Sequence, residues 1–207
     1  MLNEGIPRRE KEKLRHRQEI LDAALGLFSE AGFHNVSMQQ IATRAEFALG
    51  TLYNFFESKE ILYQTLIREV ADRFHRALTE AVESGEDEVE NLRNYVRAKA
   101  DVFRDNLAIV RLYHRETSGA SFNIKAGLDA DVREQYGQFM VQLTKVFEDG
   151  MKKKRFNKIA DPYYLAIAID SLTNAVLIGC LEDPESRSYP QDPDVLLNIF
   201  FKGLLVS

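Results

Sequence analysis

From residue 8 to residue 161 the chain contains no proline, while apolar side chains recur there at intervals of three and four. That spacing marks helices with one buried face; strands would alternate with a period of two. Ile20, Ala24, Leu27, Phe28 and Ala31 form one such stripe, closed by Gly32 as a C-cap. Ser37-Met38-Gln39-Gln40 has the Ser-x-x-Gln form of a capping box and starts a second, short helix. Ser58 is an N-cap before Lys59-Glu60-Ile61, and Leu62, Leu66, Val70, Phe74 and Leu78 carry that helix to about Ser84-Gly85. Beyond the acidic loop Glu86-Asp87-Glu88 the pattern predicts helices over about 89–105, 107–117, 128–154, 162–182 and 193–205, with a loop over 118–127. Asp161-Pro162 and Asp192-Pro193 each set an acceptor before a proline, which suits the first turn of a helix. The expectation is an all-α chain of about nine helices, its boundary falling within the long fourth helix, which divides it into residues 1–60 and 61–207.

With 207 residues, 45% of them hydrophobic, the chain can bury a real core. Its single cysteine, Cys180, excludes an intramolecular disulfide, and the basic N-terminal stretch is not followed by the apolar run of a secretory signal, so a cytoplasmic setting is expected. No HExxH, GxSxG, phosphate-cradling glycine loop or Cys/His cluster is present, and neither enzyme activity nor a cofactor or metal is expected. The net charge of −5 is unfavourable for a surface devoted to nucleic acid, yet Arg8, Arg9, Lys11, Lys13, Arg15 and Arg17 gather within ten residues against only Glu10 and Glu12. If DNA is the partner, the positive charge is local.

Between Ser37 and Phe56 the order is capped helix, tight break and second short helix. Ile41, Ala42, Ala45, Leu52 and Phe56 supply a small core, and the first helix and the start of the fourth must back it, as in a DNA-reading helix-turn-helix. The run Ile20…Leu27-Phe28…Gly32-Phe33…Ser37…Ile41-Ala42…Ala45…Gly50-Thr51-Leu52-Tyr53…Phe55-Phe56…Ser58-Lys59-Glu60…Leu62 resembles the N-terminal domain of the TetR family over residues 18–63. The resemblance implies a three-helix DNA-binding domain joined through the fourth helix to a larger helical domain for effector binding and dimerisation. By position it implies phosphate or groove contacts for Ser37, Thr51, Tyr53 and Lys59, which set register more than sequence choice. Gly50 would let the recognition helix approach either the DNA backbone or its own supporting helix. Ala48 stands where the family often has a capping Ser or Thr, Leu49 where it is often polar or basic, and Glu46 where a turn glycine is frequent. Ala48 and Leu49 can pack on a thymine methyl, or else Gln39, Arg44 and Asn54 read the bases.

In the last quarter, 162–182 is apolar on nearly all sides, with Asp170 its only charge before Glu182. Its length suits a membrane span, but Asp170, Ser171, Thr173 and Asn174 interrupt the centre, where a charge is most costly, and no membrane association is expected. Such a helix must be buried on two faces, and 193–205 shares that property. Together they imply a homodimer through a four-helix contact, with Ile169, Leu177, Leu181, Leu196, Phe200 and Leu204 as candidate interface residues. Phe74, Phe103, Tyr113, His114, Tyr136, Phe139 and Asn174 are candidates to line an apolar effector cavity. The functional expectation is a repressor released from palindromic double-stranded DNA by a small hydrophobic or amphipathic molecule; the alternative is a DNA-binding structural factor of the same fold with no effector. Lys152-Lys153-Lys154-Arg155 is read as a structural helix end.

Overall fold

Ser37 behaves as its capping box predicts: its Oγ accepts from the Gln40 backbone amide at 3.3 Å, while the Gln40 side chain accepts from the Ser37 amide at 2.8 Å. The computed structural model describes residues 7–117 and 130–205. Among these it contains nine helices: α1 (Arg8–Ala31), α2 (Met38–Arg44), α3 (Leu49–Phe55), α4 (Lys59–Ala81), α5 (Glu88–Asp105), α6 (Leu107–Thr117), α7 (Ala130–Lys152), α8 (Pro162–Glu182) and α9 (Asp194–Leu204). The loop expected over 118–127 lies outside the described residues. Every other helix predicted beyond the acidic loop is present within two residues of its expected ends. Two compact units result: residues 7–70 with 108–117, and 71–107 with 130–205. The division falls inside α4 at 70/71, later than residue 60, because the first turns of α4 complete the N-terminal core with Leu62 and Leu66.

In the first unit α1 packs on α2 and α2 on α3, around Ile20, Leu21, Ala24, Phe28, Ile41, Leu52 and Leu62, all fully buried. Gly32 ends α1 at φ 84°, a left-handed backbone that glycine adopts without steric cost. At the end of α2, the Phe47 amide donates to Ala42 O and the Glu46 amide to Thr43 O, the two bonds of a Schellman cap. Its left-handed position is held by Glu46 at φ 60°, so the glutamate bears the conformation that a glycine usually takes.

In the second unit α7 packs along α8 and against α5, and α9 closes on α5 and α8. The core is built from Leu92, Tyr95, Phe139, Leu143, Phe147, Ala166, Ile169 and Leu197. Lys153 and Arg155, just past α7, pair with Glu88, and Arg155 also with Asp87, tying the end of α7 to the start of α5. The two-faced burial expected of α8 and α9 needs correction at four positions. Ile169, Leu177, Leu196 and Leu204 are buried in the chain's own core, with at most 5% of their surface exposed, so a partner has nothing there to cover. The helices still carry a second apolar face, made of Tyr163, Tyr164 and Ile167 on α8 and Val195 and Ile199 on α9. Leu181 and Phe200 are half-buried. By length and composition α8 could cross a membrane, but its central Asp170 is ion-paired inside the unit.

Candidate functional site

The expected DNA-binding residues lie on or beside α2 and α3, with Lys59 at the start of α4. Ser37, Gln39, Arg44, Ala48, Gly50, Tyr53 and Asn54 are exposed; Leu49, Thr51 and Lys59 are half-buried. Ser37, Gln39, Leu49, Tyr53 and Lys59 line one open groove of about 520 Å³, with Glu57, Ser58 and Glu60 at its edge. The two glutamates were not among the expected residues. Glu60 is held below the usual carboxylate range by its own backbone amide and the Ser58 hydroxyl, so it remains charged. It adds negative charge to the groove.

Gly50, Lys59 and Arg44 have geometry that the sequence could not show. A Cβ built at Gly50 would meet nothing within 4 Å, which removes the reading in which a supporting helix demands glycine there. The Lys59 ammonium donates to both Phe33 O and Val36 O at 2.8 Å and sits 4.4 Å from the Phe33 ring, so it closes the α1–α2 turn. One of its three N–H groups is left for the groove. Arg44 forms a two-pronged pair with Glu30. Ala48, as N-cap of α3, supplies no side-chain acceptor to that helix.

Nearby, the basic stretch of α1 is held against the same unit. His16 meets the Phe47 ring edge-on at 5.0 Å, and Arg17 pairs with Glu69 at 2.5 Å. Arg8, Arg9, Lys11, Lys13 and Arg15 remain exposed.

In the second unit the charged centre is a buried network that joins α5, α7 and α8. Lys99 lies 2.5 Å from Asp170 Oδ1 and donates at 2.8 Å to Thr173 Oγ1 and to the Tyr95 hydroxyl. Tyr95 donates to Oδ1 at 2.9 Å; Tyr136 and Asn174 donate to Oδ2 at 2.6 and 3.0 Å. Burial pushes the Asp170 carboxyl up, but the Lys99 charge and these donors outweigh it and hold the group below the usual range. Burial lowers Lys99 despite Asp170. We take the pair as ionised, because four donors converge on the carboxylate. Of the expected effector residues, Tyr136 and Asn174 thus meet at Asp170, and Phe139 stacks on Tyr95 at 5.6 Å. Phe74 packs against the same core and Phe103 is buried. Tyr113 and His114 fall in the first unit. Sequence reasoning missed Tyr95, Lys99 and Thr173. The available signal was a lone lysine on the apolar face of α5 and a lone aspartate within apolar α8.

Residues 20–66 match the family of bacterial regulatory proteins, tetR family. They span α2 and α3 entire, with the Schellman turn between them and the groove they form. Residues 20–66 are a tetR-family domain. The chain is 34% identical over 100 residues to the HTH-type transcriptional regulator RutR of Escherichia coli strain K12, a stretch that covers 48% of this chain and 47% of RutR. The chain thus spans about half the length of that relative. Beyond the tetR-family domain the likeness is one of fold. The ketosteroid transcriptional regulator KstR2 of Mycobacterium tuberculosis aligns at a TM-score of 0.67 and 20% identity over 92% of this chain and 95% of its own. The complex of SmeT, repressor of the Stenotrophomonas maltophilia efflux pump SmeDEF, with triclosan aligns at 0.71 and 19% identity over 93% of each chain. The fold is therefore the tetR-type arrangement of an N-terminal helix-turn-helix and a larger helical part.

Proposed function

We propose that the chain is a dimeric, cytoplasmic transcriptional repressor that binds palindromic DNA through α2 and α3 and is released by a small hydrophobic or amphipathic effector. The groove that gathers Ser37, Gln39, Leu49, Tyr53 and Lys59 within a tetR-family domain carries this reading. Ser37, Thr51, Tyr53 and Lys59 hold phosphates, while Gln39, Leu49 and Asn54 face base edges; Ala48 and Gly50 leave room for the backbone of the duplex. Dimerisation uses the exposed Tyr163, Tyr164, Ile167, Val195 and Ile199, extended by the half-buried Leu181 and Phe200. This face is apolar, as a self-complementary contact requires.

The effector is read by the second unit, where Tyr136 and Asn174 offer hydrogen-bonding groups on the half-buried side of the Asp170 network and Phe74 and Phe139 of the same core, with the buried Phe103, supply apolar surface. The bound triclosan of SmeT is consistent with an apolar, hydrogen-bonding ligand in a chain of this fold. The deciding experiment is a gel shift of the full chain on the DNA upstream of its own gene, repeated with candidate ligands. Retarded DNA that a ligand releases is the expected result. Binding that no ligand alters would favour a structural factor, and no binding at all would overturn the proposal.

A further inference from the structure

Arg44 ends α2, where a cation on a helix-turn-helix surface invites assignment to DNA. Its neighbours point elsewhere. Nη1 donates to Glu30 Oε2 at 3.2 Å and Nη2 to Glu30 Oε1 at 2.9 Å, the parallel fork that only a guanidinium can present to a carboxylate. The guanidinium also lies against the backbone of α1: a Cβ built at Gly26, one turn before Glu30, would stand 3.4 Å from Nη2. The side chain is thus laid along one face of α1, beside Gly26 and onto the carboxylate of Glu30. The hydrogen bonds from Glu30, and then its charge, push the Arg44 pKa up, so the guanidinium stays charged.

We infer that Arg44 is a positioning residue: with Glu30 it fixes the angle of α2 on α1, and so the presentation of α3, and it contacts neither phosphate nor base. Fixed geometry, and not the energy of an exposed ion pair, is what such a clamp supplies. A recognition helix must enter the groove at one inclination, and among the described residues α2 is the only helix with which α3 makes an extensive contact.

The inference rests on the reading of the chain as a DNA-binding regulator, and one set of variants separates the two. Full-length wild type, Arg44→Ala, Glu30→Ala and the swap Glu30→Arg/Arg44→Glu are titrated with the upstream duplex at several salt concentrations, and each is melted to check folding. Both single variants should weaken binding about tenfold for the dimer, roughly threefold per recognition unit, for every DNA sequence alike. Their salt slopes should match wild type, whereas loss of a phosphate contact from both subunits would lower the slope by about 2. The swap should restore affinity to within about threefold, because it rebuilds the pair with the charges reversed.

A swap as weak as Arg44→Ala at an unchanged melting temperature would place Arg44 on the DNA and overturn the inference. Tighter binding by Glu30→Ala, or an altered base preference in Arg44→Ala, would do the same. If wild type bound no duplex, the parent reading would fall, and this one with it.

Discussion

Asp170 accepts four hydrogen bonds in a place closed to solvent, and its partner Lys99 is 3% exposed. Removing one member leaves a buried charge without its counter-ion, which costs far more than the intact pair contributes. Lys99→Met should therefore lower stability by about 3–5 kcal/mol, while Lys99→Met/Asp170→Leu should return to within about 1 kcal/mol of wild type, read by urea denaturation. The pair also sets an acid limit. Because folding depresses the Asp170 pKa, its stabilisation is complete above the unfolded value of about 4 and is lost as pH falls through the lower folded value. Melting temperatures measured from pH 6 to pH 2 should show this loss in wild type and a smaller one in Asp170→Asn. At Glu46 the sign is opposite: glycine relieves the left-handed strain and removes a carboxylate from the tetR-family surface. Glu46→Gly should raise stability by about 0.5–1 kcal/mol and tighten DNA binding at low salt.

Among the elements, α8 and α9 have two apolar faces with different roles, and substitutions on each should fail differently. Glutamate at Tyr164 or Ile199, which are 66% and 65% exposed, should give a folded monomer in sedimentation, because only the exposed face that we propose for dimerisation is altered. Glutamate at Leu196 should instead unfold the second unit, since its side chain is buried in that unit's core. A dimer that survives Ile199→Glu would remove α9 from the interface. Helix α4 begins with another two-role residue. Lys59→Ala should lower the log–log salt slope by about 2 for the dimer, at ~0.9 per phosphate, and should also lower the melting temperature, because Phe33 O and Val36 O lose their donor.

For the whole molecule, α4 is divided between the two units, its first twelve residues in the first and the remainder in the second. In a dimer, two recognition helices must stay about 34–36 Å apart to meet successive major grooves, so a ligand that favours a different α4 arrangement disfavours DNA. Effector and operator should then bind antagonistically, with a coupling of about 1–3 kcal/mol, and operator should weaken effector binding by the same factor. Calorimetry of the effector found by the gel shift, with and without operator, measures this directly. Equal affinities in the two titrations would leave a DNA-binding dimer whose ligand site does not regulate it.

Local physics wrote most of the fold into the chain. The capping box at Ser37, the Asp-Pro starts of the last two helices and the i, i+3, i+4 apolar spacing act within one or two turns, so the positions of the helices and the tetR resemblance of residues 18–63 were legible from the residues alone. A side chain's partner across the fold is not local. An apolar stripe does not say whether it faces its own core or a second copy, and so Ile169, Leu177, Leu196 and Leu204 looked like interface until α5 and α7 were seen to cover the α8 and α9 core. Arg44 and Lys59 carried charge that suited DNA, but Glu30 stands fourteen residues from Arg44, and Phe33 and Val36 more than twenty from Lys59. Asp170 and Lys99 are separated by seventy-one residues, and nothing in either helix by itself indicates that these two buried charges answer each other. Helix formation is settled by neighbours in sequence, whereas the neutralisation of charge and the direction in which an apolar face is buried are settled only when distant segments meet.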